Sequence, residues 1–561
     1  MPISRLPTLS SPQPRWRRPL LWTLGGLLAL EALYNTVLAT GLLATVINHF
    51  THEHPRVEWS RAWSLVPGRV HVRDLKLRHE NPSGISWQLG MDEVKVDLSL
   101  FSLLKRTLRT DSLNVRGLSV QIHSGSEDTD KDQAPRPPPT APWKVFLYGV
   151  QVHKVHEVTL KAARLTGITA ASGNMELVPG HRVSVRDARV QIGPGELAYE
   201  ETAVARIDQG SGEFNLETQR QDPDSGLDLI AGLTGGRFQF TATHPALDKL
   251  SPLISGPTGV SLKGGAGKLE VDLHVKEGRL AKGTQLRDSG EPLLLSLGPL
   301  RLRAPWQLYS DVYTHQDGTD RLGLKITLGP VRMDGVEGLT METQEVLLLL
   351  GAKPPRLDEH PSDARLELHA KQVQATWGGA RLKGHVHVEA DARKISLQRG
   401  KMTLHGSQVQ LQEVSVRTGA DEERNWEGTL TFPEATLDLS SPWAQGRFSG
   451  NFSNAAPFVA LLTYKGALPG VLKPLLTANN LSLSGEVSLG EKGFKVSKLL
   501  ANGQGLELRG TAESAGDTPH AVLLVKMGPL SVGVETGTGD THVQVLNASS
   551  WYQQRTGTPA K

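Results

Sequence analysis

The chain has 561 residues, with 61 Lys or Arg against 58 Asp or Glu, and it lacks cysteine altogether. Without thiols there is no disulfide framework, no cysteine-ligated zinc, no iron–sulfur cluster and no cysteine nucleophile. Near-balanced charge gives no case for nucleic-acid binding, and an aromatic content of 5 % argues against a large aromatic-lined ligand site.

Residues 1–18 form a basic segment carrying Arg5, Arg15, Arg17 and Arg18. Residues 19–50 follow as an apolar run, nearly uninterrupted from Leu20 to Ile47. About 20 helical residues span a bilayer core, so this stretch is expected to be a membrane anchor. The next basic residue is Arg56, and the positive-inside rule then keeps the N-terminus cytoplasmic and carries the bulk across the membrane. The long run without a small-x-small site favours an uncleaved anchor over a signal peptide. Glu31 and Asn35 lie one helical turn apart within it. Polar groups in a membrane helix are costly, which marks this pair as a candidate contact to an intramembrane partner. His52 and His54 follow the helix end without distant ligands, and this cluster reads as a polar interfacial cap rather than a metal site.

From residue 55 onward the dominant period is two. In residues 55–123, Val94, Val96 and Leu98 alternate with polar residues, as do Leu113 with Val115 and Val120 with Ile122. Residues 124–142 are acidic and then proline-rich, a solvated extended linker. In residues 143–455 the alternation returns at Val271 and Leu273 and at Leu324 and Ile326; in residues 456–551 it returns at Leu481 and Leu483 and at Leu506 and Leu508. Glycine, asparagine and proline punctuate the runs. The expected fold is therefore mainly β: one N-terminal transmembrane helix, then an extended, curved antiparallel sheet with a few short helices. Helical patches are expected at 101–108, 245–254 and 456–480, and residues 552–561 read as a disordered tail.

Nothing in the chain announces catalysis. It has no H-E-x-x-H, no G-x-S-x-G and no phosphate-binding glycine loop. The acid pair Glu200-Glu201 and the run Asp421-Glu422-Glu423 read as solvated loop residues. No enzyme activity, cofactor or metal is expected.

The stretch Ser64 to Ile122, directly after the apolar segment, resembles the start of AsmA-like proteins. It has a Pro-Gly strand pair, a short apolar helix and a strand of the form "l.v.gl.v.i". Asn480 to Glu513, where Gly485 and Gly510 recur, is similar to that group's terminal region. This broader group includes the TamB-like proteins and resembles eukaryotic bridge-like lipid carriers. The resemblance implies an inner-membrane-anchored periplasmic protein with a β-groove that moves phospholipid to the outer membrane or supports outer-membrane biogenesis. Its partners would be phospholipid or another lipid, the inner membrane and an envelope protein.

An apolar trough solvates acyl chains by the ordinary hydrophobic effect. The candidate lining residues are Val94, Val96, Leu98, Val271, Leu273, Leu324, Ile326, Leu481, Leu483, Leu506 and Leu508, each of which reads equally as dry core. Two other functions fit the pattern: an envelope scaffold with closed faces, and an anchored carbohydrate-active β enzyme.

Overall fold

The computed structural model describes residues 17–557, apart from 51–55, 80–84, 125–143, 220–232, 251–259, 335–339, 355–362, 456–477 and turns of four residues or fewer. The chain is mainly β, as its alternation predicts. It divides into two units: Met1–Gly195 with Glu213–Leu229, and Glu196–Gly212 with Ile230–Lys561.

The first unit opens with helices α1 (Arg17–Ala39) and α2 (Leu42–Phe50), broken at Thr40-Gly41, where Gly41 has φ +69°. Among the described residues no helix is long and apolar enough to cross a membrane. Strands β1 (Arg56–Glu58), β2 (Arg61–Val66), β3 (Arg69–His79) and β4 (Ile85–Leu98) lead to the short helix α3 (Leu100–Leu103). Then come β5 (Thr107–Ser124), β6 (Lys144–Leu160), β7 (Ala163–Leu165), β8 (Ile168–Val178) and β9 (Arg182–Ile192). The sheet order is β2-β3-β4-β5-β6-β8-β9, with β1 alongside β3.

Two expectations are corrected in this unit. The sheet is not antiparallel throughout: β5 and β6 are parallel, with Thr107 opposite Lys144 and Ile122 opposite Leu160. Parallel neighbours need a crossover of a dozen or more residues, and the 124–142 segment supplies that length. Apart from Ser124, the last residue of β5, that segment lies outside the described residues, as do His52 and His54. The helix expected over 101–108 is only one turn long. Arg106 adopts φ +51°, and Leu108 pairs with Val145 in the parallel ladder.

Asparagines close the free edge of this sheet. Asn35 of α1 donates from Nδ2 to the Ser64 carbonyl at 2.7 Å, and its Oδ1 accepts from the Ser64 N–H at 2.7 Å. Asn48 of α2 does the same for Val57, at 2.9 and 2.7 Å. Each amide thus stands in for a neighbouring strand, satisfying groups that an edge otherwise exposes. The Trp59 indole donates to the Leu38 carbonyl at 3.1 Å. Behind this seam, Val72, Val94, Val115 and Val152 stand opposite one another across β3–β6 and form the core with Leu38 and Ala62.

Strands β10 (Gly195–Tyr199) and β11 (Thr202–Gln219) lie in the sequence around the unit boundary. The second unit continues with β12 (Leu233–His244), a 3-10 turn at Leu247–Leu250, β13 (Val260–Gly264), β14 (Gly267–Lys276), β15 (Arg279–Leu280), β16 (Gln285–Leu297) and β17 (Leu300–Thr314). It proceeds through β18 (Asp320–Leu328), β19 (Val331–Asp334), β20 (Thr340–Thr343), β21 (Glu345–Ala352), β22 (Asp363–Trp377), β23 (Ala380–Ser396) and β24 (Lys401–Thr418). The last strands are β25 (Asp421–Asp438), β26 (Trp443–Asn454), β27 (Asn479–Gly490), β28 (Gly493–Gly503), β29 (Leu506–Ala515), β30 (Thr518–Met527), β31 (Leu530–Thr536) and β32 (Thr541–Gln544), followed by helix α4 (Ala548–Thr556).

Every recorded pairing among β12–β32 is antiparallel. The 3-10 turn covers part of the expected 245–254 helix. The expected 456–480 helix pair lies outside the described residues up to 477. The tail read as disordered from 552 is helical to Thr556, because Tyr552 is buried with Ala548 against Val522 and Leu524.

Candidate functional site

In an antiparallel pair, directly opposed residues share a face. Following opposed partners across the second unit traces one row. It begins Ala242, Leu269, Asp288, Leu308, Ile326, Leu348, Leu368 and Val388. It continues Val409, Leu430, Gly450, Leu483, Ala501, Leu508, Val525 and Val532. At ~4.8 Å per strand these fifteen steps cover about 72 Å. Asp288 is the one charged residue in the row.

Burial along the row is uneven. Ala501, Leu508, Val525 and Val532 are buried, within a cluster that includes Trp426 stacked on Phe452. From Leu269 to Leu430 no member is buried. Apolar side chains on strands normally hide under a second layer, yet over these strands the row stays partly open.

Bulges keep the row on one face. In β22 the inward residues are Leu366, Leu368 and Ala370, then Val373 and Ala375. The register shifts between Ala370 and Val373, where Gln372 takes φ +52°. In β24 the phase changes between Leu411 and Val414 at Glu413, φ +49°. In β28 it changes between Val496 and Leu499 at Lys498, φ +52°. An extra residue in a strand inverts its alternation. Here each bulge meets a matching inversion in the sequence and cancels it.

The other face is polar. Arg237 donates to Asp272 at 2.7 and 3.0 Å and Gln239 donates to it at 2.8 Å, which hold that carboxyl down at about 2. His387 lies 2.9 Å from both Glu389 and His369. A shallow depression across β11–β16 is lined by Gln239, Glu270, Asp272 and Arg287 together with Phe240 and Val271. Among the described residues no group of three or more His, Asp or Glu side chains gathers to hold a metal ion.

The structure places all eight second-unit lining candidates on the face that carries the row. Leu483 and Leu508 lie in it together with Ile326. Leu324 is one inward position along β18 from Ile326, and Val271, Leu273, Leu481 and Leu506 are likewise on neighbouring inward positions. Val271, Leu481, Leu506 and Leu508 are buried core, whereas Leu273, Leu324, Ile326 and Leu483 stay partly exposed. In the first unit Val94 is buried, while Val96 and Leu98 pack at the margin of the same core. Asn35 finds its partners within the chain: Ser64, and Glu31 at 3.0 Å.

Sequence reasoning missed the polar station in the row. His244 Nε2 lies 3.1 Å from Asp288 Oδ1, with the His244 side chain 3 % exposed. Burial pushes the Asp288 carboxyl up, against the pull of His244. The signal was present: Asp288 falls in phase with Leu286 on an inward position, but its partner lies 44 residues earlier. No protein-family model matches this chain, and no curated protein matches it.

Proposed function

We propose that this chain is a membrane-anchored lipid-handling protein. Its second-unit apolar face takes up acyl chains, and its role is to carry phospholipid between the inner and outer membranes or otherwise to support outer-membrane biogenesis. The apolar segment over residues 19–50, which includes most of α1, is the anchor, and the β body lies in the periplasm. The observation that carries this reading is the row from Leu269 to Leu430, apolar except for Asp288 and only partly covered on every strand. Acyl chains complete its burial at about 0.8 kcal/mol per methylene removed from water. Such a surface is non-directional, so it suits a ligand that slides rather than one that docks in a single pose.

Site-specific photo-crosslinking tests this. A photoreactive residue at Ile326 or Leu368 is expected to capture phospholipid in cells, while one at Lys325 or Glu367, on the opposite face, is not. Equal capture from both faces, or none from Ile326 and Leu368, contradicts the reading.

A further inference from the structure

One end of the first-unit sheet carries large apolar side chains that are exposed among the described residues. Leu65 is 77 % exposed and Val66 53 %, just before the β2–β3 turn, and Phe101 on α3 is 85 % exposed. The register brings them together. Val66 pairs with Arg69, Arg69 with Asp97, and the Leu98 N–H donates to the Gly68 carbonyl at 2.7 Å. The next residues form α3, which is held by the Ser99 N–H donating to the Arg109 carbonyl at 3.0 Å and the Ser102 N–H to the Ser99 carbonyl at 3.1 Å. Phe101 is therefore fixed in an outward position on a hydrogen-bonded turn.

The charges at this end are one-sided. Arg69 is balanced by Asp97 at 3.0 Å and Arg109 by Asp111 at 3.5 Å. Lys105, Arg106 and Lys144 are all exposed, and none is ion-paired among the described residues. The Lys144 N–H donates to the Arg106 carbonyl at 3.0 Å, so the start of β6 lies beside this basic turn.

α1 leaves the sheet past the same end. Its Asn35 is level with Ser64 and its Leu38 with Trp59, so the helix runs antiparallel to β2. Arg17, where α1 begins, is eighteen residues before Asn35, about 27 Å along the helix. Leu30 and Leu33 on that part are 66 % and 63 % exposed.

We infer that this end of the sheet is itself a membrane-contact rim. Leu65, Val66 and Phe101 enter the interface of the bilayer that holds α1, and Lys105, Arg106 and Lys144 meet anionic headgroups. An exposed apolar tip flanked by unpaired cations suits an anionic lipid surface, because the apolar part leaves water while the cations stay at headgroup level. The inference rests on the anchoring role of α1 and adds a second, oriented contact that sets the sheet end against the lipid.

The absence of cysteine from the chain makes the test direct. Leu65→Cys, Phe101→Cys and Arg78→Cys, each in the full chain, are labelled with an environment-sensitive fluorophore. They are then reconstituted into phosphatidylcholine–phosphatidylglycerol vesicles. Flotation reports anchoring, and quenching by spin-labelled lipid reports the rim. Arg78 lies nine residues along β3 from Arg69, about 30 Å away.

The expected result is a several-fold rise in emission with lipid quenching at positions 65 and 101, and neither at 78. Combined Lys105→Glu, Arg106→Glu and Lys144→Glu substitution is expected to reduce that quenching with flotation unchanged. Vesicles that float the protein while probes 65 and 101 stay as wet as probe 78 overturn the rim and leave the anchor standing. Failure to float overturns both.

Discussion

The asparagine seam along the first-unit edge lends itself to a direct perturbation. Asn35→Ala removes both partners of the Ser64 backbone, and Ser64 is 1 % exposed, so water reaches neither group easily. Each buried group left unpaired costs about 1–3 kcal/mol, so a total of about 2–4 kcal/mol is expected after partial relaxation. Asn35→Asp keeps the acceptor for the Ser64 N–H but loses the donor to its carbonyl and sets a carboxylate against Glu31. It should therefore preserve protection of the Ser64 amide while still losing stability. Thr36→Ala is the control: its exposed hydroxyl bonds only to Ala32 within the helix, and a shift within about 0.5 kcal/mol is expected. The assay is amide exchange at Ser64 in the solubilised full chain, together with its unfolding midpoint. If Asn35→Ala leaves both as they are in Thr36→Ala, the edge is not held by this amide and the argument fails.

Other consequences are as specific. Glu413→Gly relieves a left-handed backbone at a bulge where the side chain is 78 % exposed, and should raise stability by about 1 kcal/mol in denaturant unfolding; a loss of stability would refute the strain argument. Parallel pairing of β5 with β6 requires the chain to return from Ser124 to the level of Thr107, about 56 Å at ~3.3 Å per residue. Deleting sixteen residues from the intervening segment leaves about 25 Å of reach between Ile122 and Val145 at ~3.6 Å per residue, so disulfides between cysteines placed at the paired ends Leu108/Val145 and Ile122/Leu160 should no longer form in the same molecule. Asp272 is held at about 2, below its ordinary 3.8, mainly by the hydrogen bonds from Arg237. A depressed carboxyl stabilises the fold above its unfolded value, and that stability is lost as pH falls from 3.8 toward 2. Arg237→Ala should flatten the acid limb of the unfolding midpoint across that window, by about 1 kcal/mol or less because the pair is partly solvated.

Much of the β architecture could be read from the alternation of apolar and polar residues. Strict alternation fixes a face whatever the neighbours, so spacing alone sets Leu324 with Ile326, and Leu481 with Leu483, on one side of a sheet. Alternation carries no strand direction, which is why the parallel β5–β6 pair was not seen. Nor does it distinguish a short apolar helix from the start of a strand: residues 101–108 fit both, and a positive φ at Arg106 decides between them. Asn35 reads as an intramembrane contact because leucines surround it, while Ser64, to which it hydrogen-bonds, comes 29 residues later and carries no mark in the sequence. The bulges were legible in principle, since the apolar period slips at 370/373, 411/414 and 496/499 beside a long polar residue.

Lipid held in the open part of the apolar row can be measured on the intact protein. The most direct measurement is native mass spectrometry of the full chain extracted from membranes, compared with an Ile326→Asp, Leu368→Asp double variant whose β content is verified by circular dichroism. Both side chains are partly exposed in the row, so the variant is expected to fold. Bound phospholipid is expected on the unsubstituted chain and its loss from the folded variant; equal lipid on both, or a folded unsubstituted chain free of lipid, would rule out lipid binding by this face.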